Sequence, residues 1–402
     1  MKSFFLLGTK MDAEDASSQD QLAAAYDKKE RPLCLCMPDG IPMYISRFQG
    51  RFLLKRMPGS GTKHHVLCDS FEPPPELSGL GDVQGQAIKE DTEEGITTLR
   101  LDFSLTKGAK KAPPTPGEEP PDTVRTDGAK LTLRSLLHYL WDQAGFNRWS
   151  PNMQGKRSWP VIHKYLLQAA QSKSAKRHDL SELLFVPEPF VLDRKDEIAH
   201  RRHAQFARVM NSKGNSRQLM VCIGEVKEKM SPSRYGYRAV LKHLPDCHFM
   251  LDEQLHRRLI KRFNTELALW DAVEDSHLIM ISTFSVSAAG VVSVEEAALM
   301  CTDHRWLPFE NQYERDLIDK AASVGHRFVK GMRYNLPSST PLASLVTLDT
   351  DSPVACYLVP PEASAEYEER LDELIGASTF NSWTWRCEDE PMPVLPSRVE
   401  HV

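Results

Sequence analysis

The chain has 402 residues, 41% of them hydrophobic and 26% charged, with a net charge of −5 and eight cysteines. Those proportions describe an ordinary soluble globular protein, long enough to bury a sizeable core over two or three domains. No apolar run approaches the roughly 20 residues of a membrane helix, which excludes a helical membrane protein.

The net charge hides a separation. Residues 129–265 hold 25 Lys and Arg against 12 Asp and Glu, a balance of +13, whereas residues 1–128 sum to −4 and residues 266–402 to −14. A basic block inside an acidic protein needs a partner or a fold that tolerates it, and polyanions are the usual partner.

The start of the chain, Met1 to Gly8, has only four apolar residues in a row. That is shorter than the apolar stretch of a signal peptide, about 7–15 residues, and it reads as a first strand. The expectation is a cytoplasmic protein whose cysteines stay reduced. Residues 12–27 are acidic and Ala-rich and predict a weakly amphipathic helix. Met43-Tyr44-Ile45 and Arg51-Phe52-Leu53-Leu54 predict a β-hairpin. Pro73, Pro74 and Pro75 exclude regular structure there, because each removes a ladder donor. Thr97 to Leu105 alternates like a strand, and Lys107 to Asp127, rich in Pro, Gly and Lys, reads as a linker.

Beyond it, Leu133, Leu136, Leu137, Leu140 and Trp141 mark one face of a helix closed by Gly145. A second helix starts near Ser158 with Pro160 in its first turn. Leu219 to Val226 predicts a buried strand with Arg238 to Leu244 as its return partner. Leu255, Leu259, Phe263, Leu267 and Trp270 predict a helix, and 278–286 a strand. Tyr313, Leu317, Ala321 and Val324 predict a helix ended by Gly325. Strand-like runs follow at 326–334, 342–348 and 354–359. This mixed order predicts an α+β fold. Its expected parts are an N-terminal zinc-stapled β module (1–106), a linker (107–128), a basic helical segment (129–215) and a mixed α+β C-terminal domain (216–402).

Cys34-Leu35-Cys36, then 27 residues, then His64-His65-Val66-Leu67-Cys68 supplies sulfur and nitrogen donors of the kind structural zinc prefers. A hairpin between the two pairs would bring Cys34 and Cys36 to Cys68 and one of the two histidines. Four protein ligands leave no open position, so the metal would be structural. A segment this poor in apolar residues gains most from such a staple. The alternative is two core cysteines and an exposed pair of histidines.

In the basic middle, charges are interleaved with aromatics at Arg148-Trp149 and Lys156-Arg157-Ser158-Trp159. Cations pair with phosphates and aromatic faces stack on bases, although a core position is the commoner fate of Trp149 and Trp159. Lys176 and Arg177, Arg201 and Arg202, and Arg258, Lys261 and Arg262 complete the candidate contacts. The partner expected is nucleic acid, DNA above all. The alternatives are an acidic partner protein and the chain's own acidic C-terminal part.

Glu225-Val226-Lys227 closes the apolar run Leu219–Ile223 and puts a carboxylate and an ammonium on one face. Metal-dependent nucleases use this pair with an upstream Asp to hold Mg²⁺, and Asp193 is the candidate here. Glu-x-Lys is also a common strand ending, so non-catalytic binding leads and the nuclease is the alternative. No Gly-x₄-Gly-Lys-Ser/Thr loop and no Gly-x-Ser-x-Gly elbow occurs.

Five runs carry a resemblance: Glu30 to Cys36, Pro73 to Gly81, Gly145 to Pro151, Lys242 to Asp246 and Arg327 to Gly331. Over about residues 29–386 the chain resembles a bacterial family of uncharacterised proteins carried largely on integrative conjugative elements and plasmids. The resemblance implies a mobile-element setting and little mechanism. It also favours His64 over His65 as the fourth ligand. The C-terminal part is similar, more weakly, to the restriction-endonuclease-like fold. Leu342 stands where active members have Asp, and Ala355-Cys356-Tyr357 carries no carboxylate, so that resemblance implies an inactive scaffold. The reading is a non-catalytic nucleic-acid-binding accessory protein with one structural zinc. A protein assembly factor without nucleic-acid contact is a further alternative.

Overall fold

The computed structural model describes residues 3–12, 18–48, 50–108, 128–210, 217–234 and 236–399. Helices and strands alternate in mixed order, and the fold is α+β. The first sheet is antiparallel throughout, in the spatial order Thr9–Asp12, Ser3–Leu6, Leu33–Cys34, Ile41–Phe48, Arg51–Arg56. The last two strands are the expected hairpin. The helix Ser18–Asp27 lies against it and buries Leu22 and Ala25 among Phe4, Leu6, Met11 and Ile45. The start of the predicted helix, 13–17, and most of the predicted linker, 109–127, lie outside the described residues.

Ile88–Asp91 and Ile96–Leu99 form a second sheet with Lys173–Ala175 and His178–Asp179, the 96–99 and 173–175 strands running parallel. Thr106–Lys107 pairs with Arg217–Gln218. Strands from the predicted β module thus share sheets with the basic segment. The strand expected over 97–105 ends at Leu99. Leu101, Phe103 and Leu105 stay buried but extend no ladder, so the alternation there reports burial only.

Seven strands make the central sheet, in the order Leu184–Phe185, Met220–Glu225, His277–Val286, Val292–Thr302, Leu244–Leu251, Gly236–Leu241, Ser231–Ser233. The pairing expected between 219–226 and 238–244 is corrected. Met220–Glu225 is buried along its whole length and lies between Leu184–Phe185 and His277–Val286. A single bridge, Val226 to Leu241, joins the two segments where the sheet curls back. The helix expected over 255–270 is two, Glu253–Arg262 and Asn264–Ala272, broken at the buried Phe263.

Leu133–Gln143 forms the expected helix. Thr132 accepts from the Ser135 N–H at its start, and Gly145 follows its end at φ +74°. Trp159–Ala169 begins after Ser158. The fifth sheet runs Asn381–Arg386, Val354–Val359, Leu345–Thr347, Phe328–Lys330, Arg148–Trp149. Its last strand comes from the basic segment. The largest apolar core extends in sequence from Val83 to Tyr334, so segments divided at 129 and 216 are packed as one body.

Two glycines make these close approaches feasible. A Cβ on Gly331 would sit 2.0 Å from the Ala343 carbonyl oxygen, and one on Gly79 would sit 2.0 Å from that of Arg333. Backbone cannot yield cheaply, so Gly331→Ala is expected to lower stability by about 1–3 kcal/mol. Gly376, in the helix Ala365–Ala377, has open space around it, and Gly376→Ala should raise stability by up to about 1 kcal/mol. Urea unfolding measures both; equal midpoints for the two variants would contradict the packing described.

Candidate metal centre

Cys34 ends a short strand and Cys36 follows in the turn after it. The hairpin Ile41–Arg56 then carries the chain out and back to the 3₁₀ turn Gly61–Lys63, after which come His64 and Cys68. One donor atom from each of Cys34, Cys36, His64 and Cys68 lies within 4.8 Å of the others, close enough to hold a metal ion. The Cys34 and Cys68 sulfurs are 3.8 Å apart, and His64 Nδ1 is 3.3 Å from Cys36 Sγ and 3.8 Å from Cys68 Sγ. A tetrahedral ion at Zn–S and Zn–N bond lengths separates two sulfurs by about 3.8 Å and sulfur from nitrogen by about 3.6 Å. The donor set and its spacing are therefore compatible with zinc.

The electrostatics agree with that fit. Burial pushes the Cys34 thiol up to about 12, with the neighbouring thiols adding to it and the Cys36 N–H opposing. Burial likewise raises Cys68, against a hydrogen bond from the Ser70 N–H. A cation among them would relieve the cost of the thiolates. Burial, then the Arg56 charge, hold the His64 imidazole below its ordinary value, in the neutral form that ligates metals. His64 Nε2 is buried without a hydrogen-bond partner among the described residues, so the ring is oriented by what Nδ1 faces. His65 is exposed, its Nδ1 turned to the Leu67 N–H.

The basic candidates fall into two groups. Several are held by the fold. Arg157 donates to the carbonyls of Phe146, Gly145, Arg148 and Arg305, and burial lowers its guanidinium to about 10. Arg202 is buried and forms a two-pronged ion pair with Asp246, at 2.9 and 2.7 Å. Arg148 donates to the Phe71 carbonyl, and Arg201 pairs with Glu188 and Glu197. Trp149 and Trp159 are core residues, not stacking platforms. The others are exposed residues, Lys156, Lys176, Arg177, Arg258, Lys261 and Arg262, although the Lys176 ammonium donates to the Phe103 carbonyl.

Glu225 is buried, with His277 Nδ1 and Lys242 Nζ each 2.6 Å from its Oε1. Lys227 is exposed beyond it, and Asp193 lies in the exposed turn Leu192–Arg194. Among the described residues the side-chain partners of Glu225 are His277 and Lys242, not Lys227 or Asp193. His277 is the residue the sequence did not single out. It begins a strand, stacks on Trp306 at 3.9 Å, and nothing in its spacing ties it to Glu225.

Burial by itself would raise the Glu225 carboxyl, but His277 and Lys242 more than offset this and hold it below its ordinary 4.5. A depressed carboxyl stabilises the fold above its unfolded value and loses that contribution as pH falls through the folded one. Glu225→Gln should therefore destabilise at pH 7, and the difference from wild type should vanish well below pH 4.5. Urea midpoints across pH check this; a difference that grows on acidification would contradict it. As for likeness to known proteins, no curated protein and no solved structure matches the chain. One family model, described as "Protein of unknown function (DUF1173)", matches residues 4–388, and the chain belongs to that family.

Proposed function

We propose that this chain is a nucleic-acid-binding accessory protein, without catalysis of its own, whose N-terminal module is held by a structural zinc. One observation carries the first half. Lys130, Lys176 and Arg262 all act on the Asp102 carboxyl, and Arg258, Lys176 and Arg262 all act on that of Glu296. Burial raises both carboxyls and the cations oppose it. Cations from three separate parts of the basic block 129–265 thus gather around two acids and outnumber them. Arg177 is exposed next to Lys176. A cluster of this kind supplies the phosphate contacts of nucleic-acid binding. The conjugative-element setting implied by the resemblance makes DNA the expected polyanion.

The second half rests on the four-donor site. With four protein ligands, zinc has no open position for substrate, which supports a structural role. Leu342 and Ala355-Cys356-Tyr357 are buried in and beside the C-terminal sheet and offer no carboxylate, consistent with a scaffold role for that sheet.

Electrophoretic shifts of a DNA duplex and of a single strand, each at several salt concentrations, test the first half. Each phosphate contact contributes a slope of about 0.7–0.9 log units per log unit of salt. Replacing Lys176, Arg258 and Arg262 together by Ala should lower that slope by about two units. Arg201→Ala should leave it unchanged. Salt-independent binding would exclude this mode, and displacement of DNA by polyglutamate at equal charge would favour an acidic protein partner. Plasma emission should find about one zinc per chain. His65→Ala should keep the zinc and His64→Ala should lose it; the reverse pattern would overturn the ligand assignment.

A further inference from the structure

A small cavity of about 40 Å³ lies where residues 72–80, the end of the helix Leu133–Gln143 and the strand Phe328–Lys330 meet. Glu72, Ser78, Asp142, Asn147, Arg148, Lys330 and Tyr334 supply its charged and hydrogen-bonding side chains. At roughly 10–15 Å³ for each water-sized group it holds about three of them, too few for an organic molecule.

Both cations on the wall have partners elsewhere. Arg148 donates to the Phe71 carbonyl. Lys330 Nζ pairs with Glu314 at 2.8 Å and donates to the Gly331 carbonyl at 2.6 Å. The remaining groups offer oxygen. Asn147 is only 3% exposed, and its Nδ2 donates to Asp142 Oδ1 at 2.5 Å and to the Lys330 carbonyl at 3.3 Å. Turned over, the amide would set its oxygen against two acceptors, so its orientation is fixed. Its Oδ1 is left buried with no partner among the described residues. A buried amide oxygen without a donor calls for a water or an ion beside it. The Tyr334 hydroxyl stands 3.4 Å from Asp142 Oδ2, and Glu72 Oε2 is held by Arg56 at 2.5 Å. Burial, then the Glu72 charge, push the Asp142 carboxyl up to about 6, against the Arg148 charge, the Asn147 hydrogen bond and the Arg56 charge.

We propose that this cavity binds one hard divalent cation of the Mg²⁺ type, through oxygens of Asp142, Asn147 and Glu72, with water completing the shell. Oxygen donors and a tight volume select Mg²⁺ or Mn²⁺, whereas the sulfur-rich N-terminal set selects zinc, so the two sites do not compete for one ion. The inference is independent of nucleic-acid binding.

Mn²⁺ titrated into the zinc-loaded 402-residue chain, followed by loss of the free-ion paramagnetic resonance signal, is the test. The expected result is one Mn²⁺ per chain, displaced by Mg²⁺, with the zinc retained. Asp142→Asn, nearly isosteric, should weaken binding by about tenfold or more. Asn147→Asp adds a carboxylate and should tighten it, a gain that a misfolded protein cannot mimic. If Asp142→Asn does not fold, the wild type and Asn147→Asp decide. No bound Mn²⁺ in the wild type would overturn the proposal and leave a water-filled cavity. Binding left unchanged by both substitutions would overturn it as well.

Discussion

Four donor atoms from two stretches of chain, drawn within 4.8 Å of one another, are the constraint on which the N-terminal module up to Cys68 depends. The apolar material around them is thin. Cys34, Ile41 and Met43 form one small buried cluster, and the neighbouring one under the helix Ser18–Asp27 has six members. Clusters of that size cannot by themselves offset the conformational entropy of ordering a hairpin and two loops. The site also has reach. A few residues after Cys68, the chain runs into the C-terminal sheet region, where the Gly79 N–H donates to the Met332 carbonyl and the Ala343 N–H to that of Leu77. Whatever fixes the four donors therefore also fixes how the segment 71–81 enters the rest of the protein.

Charge is used in two different ways in the middle of the chain. A guanidinium such as Arg157, ringed by carbonyl oxygens, acts as a knot between the loop 145–149 and the turn at Arg305. Arg202 and Asp246 tie a helix to a strand, and Lys330 with Glu314 does the same deep inside. Such buried pairs fix geometry at some cost in desolvation. The exposed charges lie on the helix Glu253–Arg262 and around Lys176, whose ammonium donates to the Phe103 carbonyl. The +13 of residues 129–265 thus overstates the basic character of the surface.

The elements with a clear period were legible in the sequence. The hairpin 41–56, the helices at 133–143 and 159–169 and the buried strand 220–225 follow from alternation, from 3.6-residue stripes and from their capping residues. The cluster of Cys34, Cys36, His64 and Cys68 was legible because sulfur and imidazole in two close pairs have few other common uses. Pairing was not. Nothing local says that Met220–Glu225 lies against His277–Val286, since the choice depends on which surfaces remain to be buried after the nearer hairpins form. For the same reason nothing local says that Arg148-Trp149 forms an edge strand beside Phe328–Lys330. Arg157 could not be told from a free cation, because the carbonyls that hold it come from 145–148 and from 305, brought together only by folding.

Hydrogen exchange of the 402-residue chain, with and without a strong zinc chelator, decides whether the four-donor cluster holds the N-terminal module. The account predicts that chelation strips protection from residues 33–36 and 64–81 while the central strands 220–225 and 277–286 keep theirs. Unchanged protection at 33–36 and 64–81 after the metal has been removed would contradict it.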